Sequence, residues 1–280
     1  MEAVKPAPNR GPDEMAAGKL HSVRQPANRA TASEPAAIAE VAAAANGSGD
    51  AVVEIAVPGG EAMAAKTLNA RLGIVGGLSI LGTTGIVVPY SCSSWIHSIL
   101  RGIDVARAAG IRHIAGATGA TSETAVCKLH DLPEIALIDM GDFVGGMLKY
   151  LRRHPVSRVT IAGGVGKMTK LAQGLLDLHS KRGSVDYAAL AALAAAAGSP
   201  PGLRDQIVAS NTAAEAFAHA AAASVALGDH VARAAQATAL AVAAGTDIAI
   251  EVVLFDREGR LVGHAPFVSA HDRPPARNRR

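Results

Sequence analysis

The stretch IRHIAGATGATSETAVCKLHDLPEIALIDMGDFVGGMLKYLRRHPVSRVTIAGGVGKMTKLAQGLLDL, residues 111–178, decides the fold. Two kinds of pattern alternate along it three times. Ile111 to Ala115, Glu134 to Asp139 and Val156 to Ala162 are short apolar runs bounded by turn residues, as strands are. Ser122 to Leu129, Phe143 to Arg153 and Met168 to Leu178 carry the helical apolar period. In the middle helix Phe143, Val144, Met147, Leu148 and Leu151 share one face. Asp142 stands at its N-cap position, with Lys149, Arg152 and Arg153 at the negative end of the dipole. Three β-α repeats with short connections predict an α/β fold, a Rossmann-like parallel sheet with helices on both sides.

Toward the N-terminus, Trp95, Ile96, Ile99, Leu100 and Ile103 form one helical stripe that Gly110 closes. Before it lies RLGIVGGLSILGTTGIVV, residues 71–88, whose five glycines weaken a plain strand and signal bends or a close approach to the backbone. A strand over Ala51 to Val57 and a short helix over Pro35 to Ala45 precede that run. Residues 1 to about 33 mix Pro, Ala, Asn and Arg without a period. Toward the C-terminus, Ser184 to Ala244 is alanine-rich and helical, and Thr212 with Glu215 makes a capping box. Ile248 to Phe255 and Arg260 to His264, joined by Asp256-Arg257-Glu258-Gly259, read as a terminal hairpin. The expected organisation is therefore a flexible leader over 1–34, a glycine-rich α+β segment over 35–110 and a Rossmann-like core over 111–183. An alanine-rich helical segment and hairpin over 184–268 complete it, followed by a basic tail over 269–280.

Composition narrows the function. With 280 residues, 49% hydrophobic and 18% charged, the chain has ample material for a core. An aromatic share of 3% argues against binding nucleic acid by base stacking. The net charge of +3 comes largely from arginines near the ends, such as Arg24, Arg29, Arg277 and Arg280, and is no polyanion signal. Cys92 and Cys127 are the only cysteines and suit a reducing compartment. No run approaches about 20 strongly apolar residues, so a cytoplasmic protein with no membrane span is expected. His113, His130, His154 and His219 are scattered singly, so no dedicated metal site is expected. The closely packing helices of 185–244 offer a surface for a homo-oligomer.

The loops after the three strands are Gly116-Ala117-Thr118-Gly119, Asp139-Met140-Gly141-Asp142 and Gly163-Gly164-Val165-Gly166-Lys167. In a parallel α/β sheet such loops emerge together at the carboxyl edge, where ligands bind. Helix-start N–H groups there can hold an anion. Asp139, at a strand end, is placed like the acid that takes a ribose hydroxyl pair. Each loop is also ordinary turn chemistry, and Asp142 can simply be a helix cap. Gly163 to Lys167 fails the phosphate-loop pattern, since Met168 takes the hydroxyl position. Lys167 reads as a solvated first-turn residue or as a partner for a substrate carboxylate. His179-Ser180 is an acid/base candidate, against the plainer reading of a helix-end histidine favoured by the dipole.

Two segments carry a family resemblance. Pro58-Gly59-Gly60-Glu61 with TLNARLGIVGGLSILGTTGIV, residues 67–87, closely resembles the signature of the cobalt-precorrin-5B C1-methyltransferase family, CbiD, of anaerobic cobalamin biosynthesis. GGVGKMTKLAQG, residues 163–174, followed by His179-Ser180, is similar to that family's second signature. The resemblance covers about residues 35–268. It implies S-adenosylmethionine-dependent methylation of ring carbon C1 of a cobalt-containing tetrapyrrole, cobalt-precorrin-5B, giving cobalt-precorrin-6A. Cobalt enters only as part of that substrate. On this reading Gly116, Thr118, Gly119, Asp139, Gly141, Asp142, Gly163, Gly164 and Gly166 are candidates for holding the methyl donor. Arg71, Ser79, Thr83, Thr84, Lys167 and His179 are candidates for the macrocycle and its carboxylates. No side-chain nucleophile is required, because the sulfonium methyl is already activated. Family members usually begin with a domain containing a GWTTGTCA-like segment, which residues 1–34 lack, so the chain is expected to be without that domain. The rival expectations are a non-catalytic remnant that binds donor or tetrapyrrole and, more weakly, an NAD(P)-dependent precorrin reductase.

Overall fold

The computed structural model of the chain describes residues 33–45, 58–74, 78 and 91–269. The chain divides at Val88/Pro89 into two units. In the first, helices α1 (Ser33–Ala44) and α2 (Gly60–Ala64) are followed by a 3-10 turn, Ala70–Leu72. Gly59 and Gly73 adopt φ of 73° and 74°, the left-handed conformation that lets the chain enter α2 and leave the 3-10 turn. The strand expected over Ala51 to Val57 and most of the glycine-rich run 71–88 lie outside the described residues, as do residues 1–32 and the basic tail from residue 270.

The second unit opens with α3 (Cys92–Ala108), capped by the Ser91 side chain, which accepts from Ser94 N–H. Then come β1 (His113–Ala117), α4 (Ala120–His130), β2 (Leu137–Asp139), α5 (Val144–Leu151), β3 (Arg158–Gly164) and α6 (Val165–Ala172). Four helices follow, α7 (Tyr187–Ala196), α8 (Leu203–Ala209), α9 (Ala213–Ala222) and α10 (Leu227–Val242). Strands β4 (Ala249–Phe255) and β5 (Leu261–Ser269) close the chain as the expected hairpin.

The strands form one sheet in the order β2-β1-β3-β4-β5, parallel except for the antiparallel edge strand β5. After β1 the chain moves to one side to make β2, then returns across β1 to make β3. The strand order thus reverses between β1 and β3, as at the binding crevice of doubly wound folds. The period of two sorts the two faces. Ile114, Val159, Ile161, Ile250 and Val252 pack with Ile103, Met147, Leu148 and the alanines of α10. On the other face Ala115, Leu137, Ala162 and Val253 pack under Val126 of α4.

Three local expectations are corrected. The helix expected over Met168 to Leu178 stops at Ala172, because Gly174 takes φ 88°. Its remaining apolar residues form an irregular run in which Leu176 O accepts from Gly145 N and Leu178 N donates to Asp142 O. The strand expected over Glu134 to Asp139 begins as a 3-10 turn after Pro133, and only Leu137–Asp139 pairs. Asp142 does not cap α5, whose N-cap is Phe143 with no side-chain hydrogen bond. The Thr212 cap is present, with Thr212 Oγ1 accepting from Glu215 N at 3.2 Å, while the Glu215 carboxylate reaches back to Asn211 N at 2.8 Å.

Between Ile250/Val252 and their partners Val268/Ala265, β5 carries one extra residue, a bulge around Pro266. Gln236, buried on α10, donates from Nε2 to Ile250 O at 2.8 Å and Pro266 O at 2.6 Å, satisfying carbonyls that the bulge takes out of the ladder. Gln236→Leu keeps the volume but orphans these acceptors. It is expected to cost about 1–3 kcal/mol, read as a lower denaturant midpoint with an unchanged slope.

Candidate functional site

The carboxyl edge of the sheet opens into a cleft of about 1250 Å³ at the point where strand order reverses. One wall is backbone-rich, made by Thr118 after β1, Gly164 to Lys167 after β3 and the β4–β5 turn. The facing wall is apolar, with Phe217, Ala218 and Ala221 of α9, then Val225 and Leu227. Two helices begin at this edge, α4 after Gly119 and α6 after Gly164, and neither start is capped by a side chain. Their leading N–H groups and dipoles suit an anion or carboxylate. A Cβ on Gly119 or Gly164 would meet nothing within 4 Å, so the space before both backbones is open.

Lys167 ties the rim together. Its Nζ donates to Thr118 O at 2.8 Å, across to the β1 loop, and lies 3.2 Å from Asp142 Oδ1 in the β2 loop. Asp142 Oδ1 is buried and accepts no hydrogen bond, so the lysine charge is the partner that offsets its desolvation. Behind the same loop, Trp95 Nε1 donates to Asp139 O at 2.9 Å and the indole packs on Gly141, whose φ is 53°.

Of the residues singled out from sequence, Thr118, Gly164, Gly166 and Lys167 line the cleft. Gly119 begins α4 at the same edge. Asp142 reaches the cleft edge through its ion pair with Lys167, while Asp139, ending β2, and Gly141 contact Trp95 behind it. Gly116 and Gly163 serve packing. The side-chain space of Gly116 is taken by Met147 and Met140, and that of Gly163 by Met168 and Thr118. His179 does not end a helix. It sits in the irregular run after α6, where its Nδ1 accepts from Lys181 N at 3.1 Å. Arg71 lies in the 3-10 turn of the first unit, and Ser79, Thr83 and Thr84 lie outside the described residues.

The β4–β5 turn was legible as a turn but not as part of the cleft, although β4 runs parallel to β3 and must end at the same edge. Its Asp256 accepts from Glu258 N and Arg260 N through Oδ1, and from Arg260 Nε through Oδ2 at 2.7 Å. Burial alone would raise the Asp256 pKa, but the Arg260 hydrogen bonds and charge, with the Glu258 N–H, outweigh it and hold it below the usual value.

A second cluster lies on the α4 face, toward the amino ends of β1 and β3. Glu251 of β4 is 3% exposed. Its Oε2 accepts from Thr160 Oγ1 at 2.7 Å and lies 2.6 Å from His130 Nε2, and its Oε1 lies 2.8 Å from His264 Nε2. His113 Nε2 is 2.8 Å from the same Thr160 hydroxyl. Burial first, then the neighbouring His130, lower the His113 pKa to about 4, so this ring is neutral at pH 7. The expectation that these histidines stand apart is thus corrected. β1, α4, β4 and β5 bring together residues as far apart in sequence as His113 and His264.

The fold is a Rossmann-like α/β sheet with an open cleft at the strand-order reversal. The family model described as CbiD matches residues 23–89, and that described as CbiD, C-terminal domain, matches residues 177–266. A protein of Bradyrhizobium sp. named cobalt-precorrin-5B C(1)-methyltransferase is 61% identical over 245 residues, 88% of this chain and 65% of its own length. Proteins of the same name from Halorhodospira halophila and Agrobacterium fabrum are 56% and 58% identical, over 92% and 82% of this chain and 72% and 62% of their own lengths. The chain belongs to the CbiD family, and it spans about two thirds of the length of these relatives. No solved structure matches it. Among the described residues, no helix is long and apolar enough to cross a membrane.

Proposed function

We propose that this chain carries out C1-methylation of cobalt-precorrin-5B in cobalamin biosynthesis with S-adenosylmethionine as donor, and that the cleft is where donor and macrocycle meet. The observation that carries the reading is the 61% identity, across 88% of the chain, to a relative bearing that name. The geometry is compatible with it. A sulfonium methyl group is already activated, so the protein has to align it with a nucleophilic ring carbon and keep water away. The apolar wall of Phe217, Ala218 and Ala221 suits a flat face, and the uncapped starts of α4 and α6 suit carboxylates of donor or macrocycle. Asp139, at the neighbouring strand end, is the residue assigned here to the donor's ribose hydroxyls. No side-chain nucleophile is required for this chemistry.

The purified chain, given methyl-labelled S-adenosylmethionine and cobalt-precorrin-5B, is expected to transfer the label to C1. Calorimetric binding of donor or tetrapyrrole without transfer would point to a non-catalytic remnant instead. Binding of NADPH but not of the methyl donor would point to a reductase.

A further inference from the structure

We propose that His113, His130 and Glu251 form a binding site for a divalent transition-metal ion of the zinc or cobalt(II) kind, separate from the cleft and on the α4 face of the sheet. One ligand atom from each residue lies within 4.8 Å of the others. Two imidazole nitrogens and one carboxylate oxygen are the donor set that such borderline ions take. The ligands stand on three elements the fold fixes, β1, α4 and β4. Phe267 packs against both rings, with centroids 5.3 Å from His113 and 6.2 Å from His130. Phe267 lies in the bulged stretch of β5 between Ala265 and Val268, opposite Glu251.

The surroundings are those of a supported site. Thr160 donates to Glu251 Oε2, and His264 holds Oε1, so the carboxylate is oriented from both sides. Glu251 is buried, but His113 and His130 are only partly so, which provides an entry path. Binding closes the three atoms on a point about 2.0–2.2 Å from each. The 2.6 Å contact of His130 with Glu251 opens, and His113 turns from Thr160 toward the ion. Water or His264 completes the coordination.

The test is titration of the chelator-treated full chain with Co²⁺, followed by visible absorption and calorimetry, with Zn²⁺ as competitor. One equivalent is expected to bind. His113→Asn and His130→Asn, checked for folding by circular dichroism, should each weaken binding at least as much as loss of an outer-shell partner does, about 10–100-fold. Glu251→Gln should do the same where it folds. In the unsubstituted chain, histidine-ring nitrogen spectra should shift for the His113 and His130 rings on Zn²⁺ addition, a readout independent of any variant. No binding up to about 1 mM, the weak end of the affinity scale, would overturn the site. So would equal binding by wild type and both histidine variants, which would assign the metal to other surface histidines, and so would unshifted His113 and His130 rings.

Discussion

Gly228→Ala unfolds the second unit or leaves it close to unfolding. Gly228 lies in the first turn of α10, and its Cα faces the backbone of β5. A Cβ there would overlap the Val262 carbonyl oxygen and stand 3.0 Å from the Gly263 Cα. The fit is reciprocal, since a Cβ on Gly263 would overlap the Gly228 backbone. In helix propensity alone the change gains about 1 kcal/mol, because alanine is the better helix former. Overpacking among side chains typically costs about 1–3 kcal/mol, and occasionally more. Here the obstructing atoms are main chain, which no rotamer change can move aside. The cost should therefore reach the exceptional range above about 4 kcal/mol, against a total stability of about 5–15 kcal/mol. The contact also sets where α10 sits on the edge strand, since Asp229 Oδ1 accepts from His264 N at 2.9 Å. Denaturant unfolding followed by circular dichroism measures this directly. A variant whose midpoint matches the parent would show that the helix and strand can separate freely, contrary to the packing described.

What could be seen in the sequence, and what could not, follows from the range of the forces involved. The three β-α repeats were visible because alternation and the helical period are local, and a parallel sheet flanked by helices followed from them, whereas the reversal of strand order between β1 and β3 is seen only in the structure. The end of α6 was not visible in the sequence, because Leu175, Leu176 and Leu178 keep their apolar spacing past Gly174, and only the contact with the start of α5 makes an irregular run their stable form. Thr118, Gly164 and Lys167 were found at the rim because topology alone puts the ends of parallel strands together. Gly116 and Gly163 were not separable from them, since a glycine that makes room for Met147 or Met168 reads the same as one that makes room for a ligand. The histidine cluster was hidden more deeply. His130 and Glu251 are 121 positions apart, and Phe267 of β5 packs against the His130 ring. No window of sequence holds that information.

Lys167→Ala should lower kcat/KM for methyl transfer about 100-fold, equivalent to about 2.7 kcal/mol, while the fold survives. The lysine Nζ donates to Thr118 O and pairs by charge with Asp142 Oδ1 at 3.2 Å, so it links the neighbouring loops at the cleft. Its side chain is 38% exposed, and solvent screening limits what the ion pair adds to stability to about 1 kcal/mol. The melting temperature should fall by only a few degrees. The loss of function is larger because two effects coincide. The loops after β1, β2 and β3 lose their common tether, which would misplace reactants, and the cleft loses the cation that the proposed function sets beside substrate carboxylates. Asp142→Asn separates them, since it leaves the lysine charge in place and removes only its anchor. It should cost about tenfold, and the double variant should lose little more than Lys167→Ala alone, because both changes act on one interaction. If the two losses simply multiplied, Asp142 would act independently of Lys167. If Lys167→Ala left kcat/KM within about twofold of the parent, the lysine would have no part in binding or positioning for methyl transfer.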